Sequence, residues 1–97
     1  MRTDTEIKRW RFLVSDWDDQ DVYVDGEGGP DGDEPEAEFV GTSHQAMQEG
    51  DRRCDLWESR TGRMAARVTR ESYGPPNAAL TRGEAVAVED TVIQEAA

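Results

Sequence analysis

Cys54 and His44 are the single cysteine and the single histidine of the chain, so any thiolate chemistry would have to use both. A nucleophile and its base must lie within about 3 Å of each other. Both residues fall in one stretch of helical periodicity, ten positions apart. At 1.5 Å per residue that separates them by roughly 15 Å along the axis. Cys54 lies on the apolar stripe of that stretch, where a thiol behaves as a small buried hydrophobe. His44 falls in the first turn as an exposed polar residue. One histidine and one cysteine also exclude an ordinary zinc site. Calcium fares no better, because the fifth position of the EF-hand pattern is Gly29 counted from Asp25 and Pro35 counted from Asp31. Gly26, Gly28 and Gly29 sit among acids that repel phosphate, and no lysine follows at P-loop spacing. Nothing marks a carboxylate pair set in a pocket, as glycoside hydrolysis requires. The chain is expected to be no enzyme and to carry no metal or cofactor.

What remains is charge. The stretch from Asp16 to Glu38 reads DWDDQDVYVDGEGGPDGDEPEAE and contains half of the 22 acids, with no Lys or Arg. The base-free interval runs from Phe12 to Asp51. Residues 1–50 hold 14 acids and 4 bases, whereas residues 51–97 hold 8 and 7, for a total net charge of -11. A field of that sign repels nucleic acid and anionic membranes and steers basic partners in. Glu34, Glu36 and Glu38 on an extended chain stand roughly 6.6 Å apart at 3.3 Å per residue. That spacing is comparable to successive phosphates along one nucleic-acid strand. Such a row suits the Arg and Lys side chains that grip a nucleic-acid backbone.

Trp17, between Asp16 and Asp18, and Tyr23, outward on a strand, have the composition of an aromatic anchor ringed by acids. The expected partner-binding set is therefore Asp16, Trp17, Asp18, Asp19, Asp21, Tyr23, Asp25, Glu27, Asp31, Asp33, Glu34, Glu36 and Glu38. In size and charge the chain resembles the small acidic proteins encoded by phages, among them many anti-CRISPR inhibitors. The resemblance is one of type and covers no motif. It implies a nucleic-acid mimic that inhibits a basic nucleic-acid-binding protein and does not itself bind nucleic acid. The alternative is a generic acidic accessory domain or a halophile-adapted one. Scarce lysine fits halophily, but the almost neutral second half does not.

The elements that must present this stretch are legible in outline. Ninety-seven residues make one domain, burying roughly 60–65% of its unfolded surface. The lone cysteine fits a reducing, cytoplasmic setting. No apolar run approaches the ~20 residues of a membrane span, and no signal-peptide core is present. Trp10, Phe12 and Val14 share one face of a strand, and Val22 and Val24 one face of the next, predicting an antiparallel β-hairpin over 7–25. GEGGPDGDEP over 26–35 predicts a mobile acidic loop, and 36–40 a short third strand.

Thr42 and Gln45 have capping-box spacing, and Gly62 suits a helix end, predicting a helix over 43–61. Its stripe is Met47, Gly50, Cys54, Trp57 and Thr61, with Ala46 beside it. Gly50 is expected to let the helix lie close on the sheet. Residues 63–71 read as a strand in which Met64, Ala66 and Val68 alternate with Ala65, Arg67 and Thr69. Thr81 with Glu84 predicts a C-terminal helix over 81–95, although Val86 and Val88 also alternate as in a strand. The fold class is α+β: three or four antiparallel or mixed strands against one main helix, with a C-terminal helix.

Overall fold

In the computed structural model, residues 6–18, 20–30, 38–76 and 87–92 are described, with the backbone alone for 87–90. The elements are β1 (Lys8–Asp16), β2 (Asp21–Tyr23), β3 (Phe39–Gly41), α1 (Ser43–Thr61), β4 (Ala65–Ser72) and β5 (Ala87–Val92). One five-stranded antiparallel sheet runs β2-β1-β4-β5, with β3 pairing β1. β1 is its axis. Along one edge it pairs with β3 through Lys8–Trp10 and with β2 through Leu13–Ser15, and along the other it pairs with β4.

Alternation on β1 gives Trp10, Phe12 and Val14 to the helix side, all buried. They meet Val24, Val68 and the helix residues Ala46, Cys54 and Trp57 in one core, with Val22 and Phe39 packed against it. Trp10 donates its indole N–H to the Gly41 carbonyl at 3.0 Å, so the aromatic can be buried without an orphaned donor.

The helix forms where its caps predict. The Thr42 side chain accepts the Gln45 N–H at 3.1 Å, and the Gln45 side chain accepts the Thr42 N–H at 2.9 Å. Gly62 ends the helix at φ 71°, a left-handed conformation that favours glycine. The buried face is rotated from the expected stripe. It consists of Ala46, Gly50, Arg53, Cys54 and Trp57, while Met47 and Thr61 are exposed. Arg53 belongs there because its guanidinium lies over the Phe12 ring, 4.7 Å from the centroid, and donates to Glu49 and to the Val24 carbonyl.

Gly50 has a specific purpose. Arg70, on β4, is fully buried beneath the helix. Its guanidinium donates to the Ala46 and Met47 carbonyls, to Asp51 and to Thr91 on β5. A Cβ at position 50 would fall 2.7 Å from Arg70 Nε. The glycine makes room for a cation rather than for the sheet backbone.

Two expectations on the second half change. Ala65 is fully buried and Met64 exposed, because β4 carries an extra residue, Ala66, between the pairs Asp16↔Ala65 and Ser15↔Arg67, and this bulge shifts the β1–β4 register at the start of β4. Residues 87–92, placed in a C-terminal helix from the sequence, instead form β5, antiparallel to β4 from Arg67↔Val92 to Ser72↔Ala87. The outer edge of β4 offers unpaired backbone groups, and β-branched residues 88, 91 and 92 suit a strand. Residues 81–86, with the Thr81–Glu84 capping box, lie outside the described residues. Among the described residues no helix is long and apolar enough to cross a membrane.

Candidate protein-interaction surface

Folding distributes the acids of the Asp16–Glu38 stretch among different tasks. Asp16 closes the turn after β1. Its Oδ1 accepts the N–H of Asp18 at 2.9 Å and that of Gln20 at 3.1 Å, and its Oδ2 pairs with Arg63. The Gln20 N–H, the Asp18 N–H and the Arg63 guanidinium hold the Asp16 carboxyl below the usual carboxylate range against an opposing effect of desolvation. Asp25 plays a similar part in the next loop, accepting the N–H of Glu27 at 2.8 Å and of Gly29 at 3.0 Å. Partial desolvation pushes the Asp25 pKa up. The two N–H groups, with Arg60 and Arg53 nearby, outweigh it and leave the pKa lowered. Glu38 forms a bidentate pair with Arg9 across β3 and β1. These three carboxylates are structural parts of the surface, and two of them are saturated by arginine.

The described half of the glycine-rich loop, Gly26–Pro30, is packed against α1, where a mobile segment was expected. Gly28 adopts φ 80°, and a Cβ there would lie 2.6 Å from Leu56 Cβ and 2.8 Å from the Trp57 nitrogen. Glycine is required both by the dihedral and by this approach to the helix. Arg60 donates to the Glu27 carbonyl at 3.1 Å, and Val24 bridges to Pro30.

On the sheet face away from the helix, Tyr23 is half-buried. Its hydroxyl donates to Glu71 Oε1 at 2.8 Å, and Tyr73 donates to the same oxygen at 2.6 Å. Desolvation, with the Glu71 carboxylate as acceptor, pushes both phenols up. Arg11 is buried with its guanidinium 4.6 Å from the centroid of the Tyr23 ring. Tyr23 therefore serves this cluster rather than standing clear as an anchor. Asp21 accepts the Ser15 hydroxyl and is exposed.

Four members of the expected binding set face solvent: Trp17, at 44% exposure, with Asp18, Asp21 and Glu27. Trp17 and Asp18 ride on the turn that Asp16 closes. Asp19, Asp31, Asp33, Glu34 and Glu36 lie outside the described residues. The sequence reading missed two arginines that return to this stretch from elsewhere, Arg60 and Arg63. Arg63 was within reach of inference, since it follows the helix-ending Gly62 and opens the approach to a strand paired with β1.

The Cys54 thiol is buried, and desolvation, with Glu58, Asp55 and Asp51 nearby, pushes it up to about 12. A thiol so held is a poor nucleophile. Among the described residues no group of three His, Cys, Asp or Glu side chains is arranged to hold a metal ion. Comparison with family models, with curated proteins and with solved structures returns no match.

Proposed function

We propose that this chain is a non-enzymatic acidic interaction module that occupies the nucleic-acid-binding surface of a basic protein and blocks it, in the manner of a phage-encoded inhibitor such as an anti-CRISPR protein. The observation that carries the reading is the use of the arginines. Arg9, Arg52, Arg53, Arg63 and Arg70 each pair with a carboxylate of this same chain. Arg11, Arg53 and Arg70 are buried. With 22 acids against 11 bases, pairing within the chain uses up bases and leaves a surplus of negative charge to the outer surface. Asp18, Asp21, Glu27 and Asp55 are exposed members of that surplus. A negative surface on an ordered scaffold attracts cationic grooves and competes with phosphate for their Arg and Lys side chains. The partner is a protein, because nucleic acid and anionic membranes share the sign of this surface.

The test is competition. The immobilised chain captures proteins from a lysate, salt steps elute them, and each captured protein is assayed for nucleic-acid binding with and without the chain. Displacement of nucleic acid at stoichiometric chain supports the reading; a captured protein that holds the chain and its nucleic acid together refutes it. Changing Asp31, Asp33, Glu34 and Glu36 together to Asn or Gln should weaken partner binding by about tenfold or more, with a shallower salt dependence. The chain should be folded at ~0.15 M NaCl, where the Debye length is about 8 Å. Folding only in molar salt would favour halophilic adaptation instead.

A further inference from the structure

Among the described residues six large apolar side chains remain exposed: Ile7, Trp17, Val40, Met47, Met64 and Val92. The sheet topology brings three of them, Trp17, Met64 and Val92, to one end. β1 finishes at Asp16, opposite Ala65 where β4 begins. Trp17 follows the last residue of β1 and Met64 precedes the first of β4, so both flank the terminal Asp16↔Ala65 pair. β5 runs antiparallel to β4 and finishes at Val92, paired with Arg67. Its last residue thus returns to the same end, one strand further over. Met64 and Val92 are 55% and 59% exposed. Trp17 is carried on a turn whose backbone is fixed by two hydrogen bonds to Asp16, so its exposure is built into ordered structure.

We infer that this end of the sheet, Trp17, Met64 and Val92 bordered by Asp18 and Asp21, is the apolar anchor of an interface for a cationic protein segment that presents arginine beside an aliphatic or aromatic side chain. The inference rests on the acidic-module reading for the sign of the partner's charge, and it adds the place where the contact is anchored. Aromatic residues and Met concentrate at interface cores, while charged groups belong to the rim. Arginine is the cation that suits both parts. Its planar guanidinium stacks on an indole face while donating to carboxylates at the edge. Of the bases at this end, Arg63 is already bound to Asp16, and Arg67, opposite Val92, is half-buried. A second copy of this chain is a poor occupant. Each body carries a net charge of -11, and Asp18 and Asp21 would be pressed toward their own equivalents, an arrangement that like-charge repulsion disfavours.

Trp10 and Trp57 are buried and Trp17 is exposed, so acrylamide quenching reads Trp17 selectively. The full chain is titrated at low salt with two synthetic peptides of equal length and charge, one alternating arginine and leucine, the other lysine and serine. Both are expected to bind through charge. Only the arginine–leucine peptide should shield Trp17 and keep binding at about 0.5 M NaCl, where screening removes most of the charge contribution. Met64→Ser and Val92→Ser should each weaken that peptide by about fivefold and leave the lysine–serine peptide unchanged. Both side chains are exposed, and an unchanged circular dichroism spectrum confirms that the variants fold. If the arginine–leucine peptide binds while Trp17 stays fully open to quencher, the anchor is elsewhere; this inference fails and the acidic-module reading stands. If neither peptide binds at low salt, both fail. If Trp17 becomes shielded on concentrating the chain alone, a second copy is the occupant and the inference is overturned.

Discussion

Replacing Gly50 by alanine should destabilise the protein, although it removes a glycine from the middle of a helix. Propensity alone argues the other way, favouring alanine by about 1 kcal/mol. The new Cβ, however, would stand 2.7 Å from Arg70 Nε, 3.0 Å from Cζ and 3.1 Å from Nη2. An arginine tip at a surface would swing aside. This one has no exposed surface, and four groups grip it at 2.8–3.3 Å: two helix carbonyls, the Asp51 carboxylate and the Thr91 hydroxyl. Overpacking of a core costs about 1–3 kcal/mol, and losing one hydrogen bond to a charged group adds about 1.5–3 kcal/mol. After the propensity gain is subtracted, about 1.5–5 kcal/mol of destabilisation remains, or roughly 9–30 °C in melting temperature at about 6 °C per kcal/mol for a chain of this length. Thermal and urea unfolding followed by circular dichroism measure it. The cycle with Arg70→Met isolates the cause: without the guanidinium, Gly50→Ala should be neutral or stabilising by up to about 1 kcal/mol. A Gly50→Ala variant that melts above the unsubstituted protein would refute the claim that Arg70 is pinned.

Trp57→Ala should cost about 3–5 kcal/mol, because Trp57 joins the helix to the core around Phe12 and Val14; a melting temperature within a degree or two of the parent contradicts this packing. Gly28→Ala should cost about 2 kcal/mol or more, since both its left-handed dihedral and its contact with the Leu56–Trp57 backbone are violated. Faster amide exchange at Gly28 and Gly29 checks it, and unchanged exchange there argues against the docked loop. The carboxyls of Asp16, Asp25 and Glu49 are held below their ordinary values when folded, so their contribution is complete above the unfolded pKa and is lost as pH falls through the folded one. Stability should therefore drop below about pH 4, and Asp16→Asn should shallow that drop; a denaturation midpoint flat down to pH 2 overturns the assignment.

The parts of this fold that were legible in the sequence are those decided within a few residues. Thr42, Gln45 and Gly62 define the helix locally, and the alternation of Trp10, Phe12 and Val14 defines β1 and its inner face. Where the outcome depends on a partner distant in sequence, the reading failed. Met64 and Ala65 exchange exposure because β4 bulges at Ala66 where it pairs with the end of β1. Residues 87–92 are a strand because β4 has an edge to be paired, a fact that no local propensity contains. The charge pattern misled in the same way. A base-free interval in sequence is not a base-free surface in space, since Arg9 reaches Glu38 and Arg63 reaches Asp16 across 29 and 47 residues. Of the candidate surface, Trp17 and its neighbour Asp18 were legible because turn residues with polar flanks tend to stay outside. Met64 and Val92 were not, because only the strand pairing brings them to the same end.

The position of β1 at the axis of the sheet has a consequence for how the chain reaches this state. β1 is synthesised well before β4, yet its longest partnership is with β4, in which Trp10 meets Ser72. Closing a loop of about sixty residues carries a large entropic cost that must be met before those contacts stabilise anything. The β1–β2 ribbon is local by comparison and can form while the rest of the chain is still emerging. Until β4 arrives, the helix-facing row of Trp10, Phe12 and Val14 lacks most of its cover, and the far edge of β1 is open to strands of other chains. Asp16, Asp18 and Asp21, at the mouth of that ribbon, set like charges against one another wherever two nascent copies meet. The same acids that shape the finished surface thereby act as gatekeepers of an unfinished sheet.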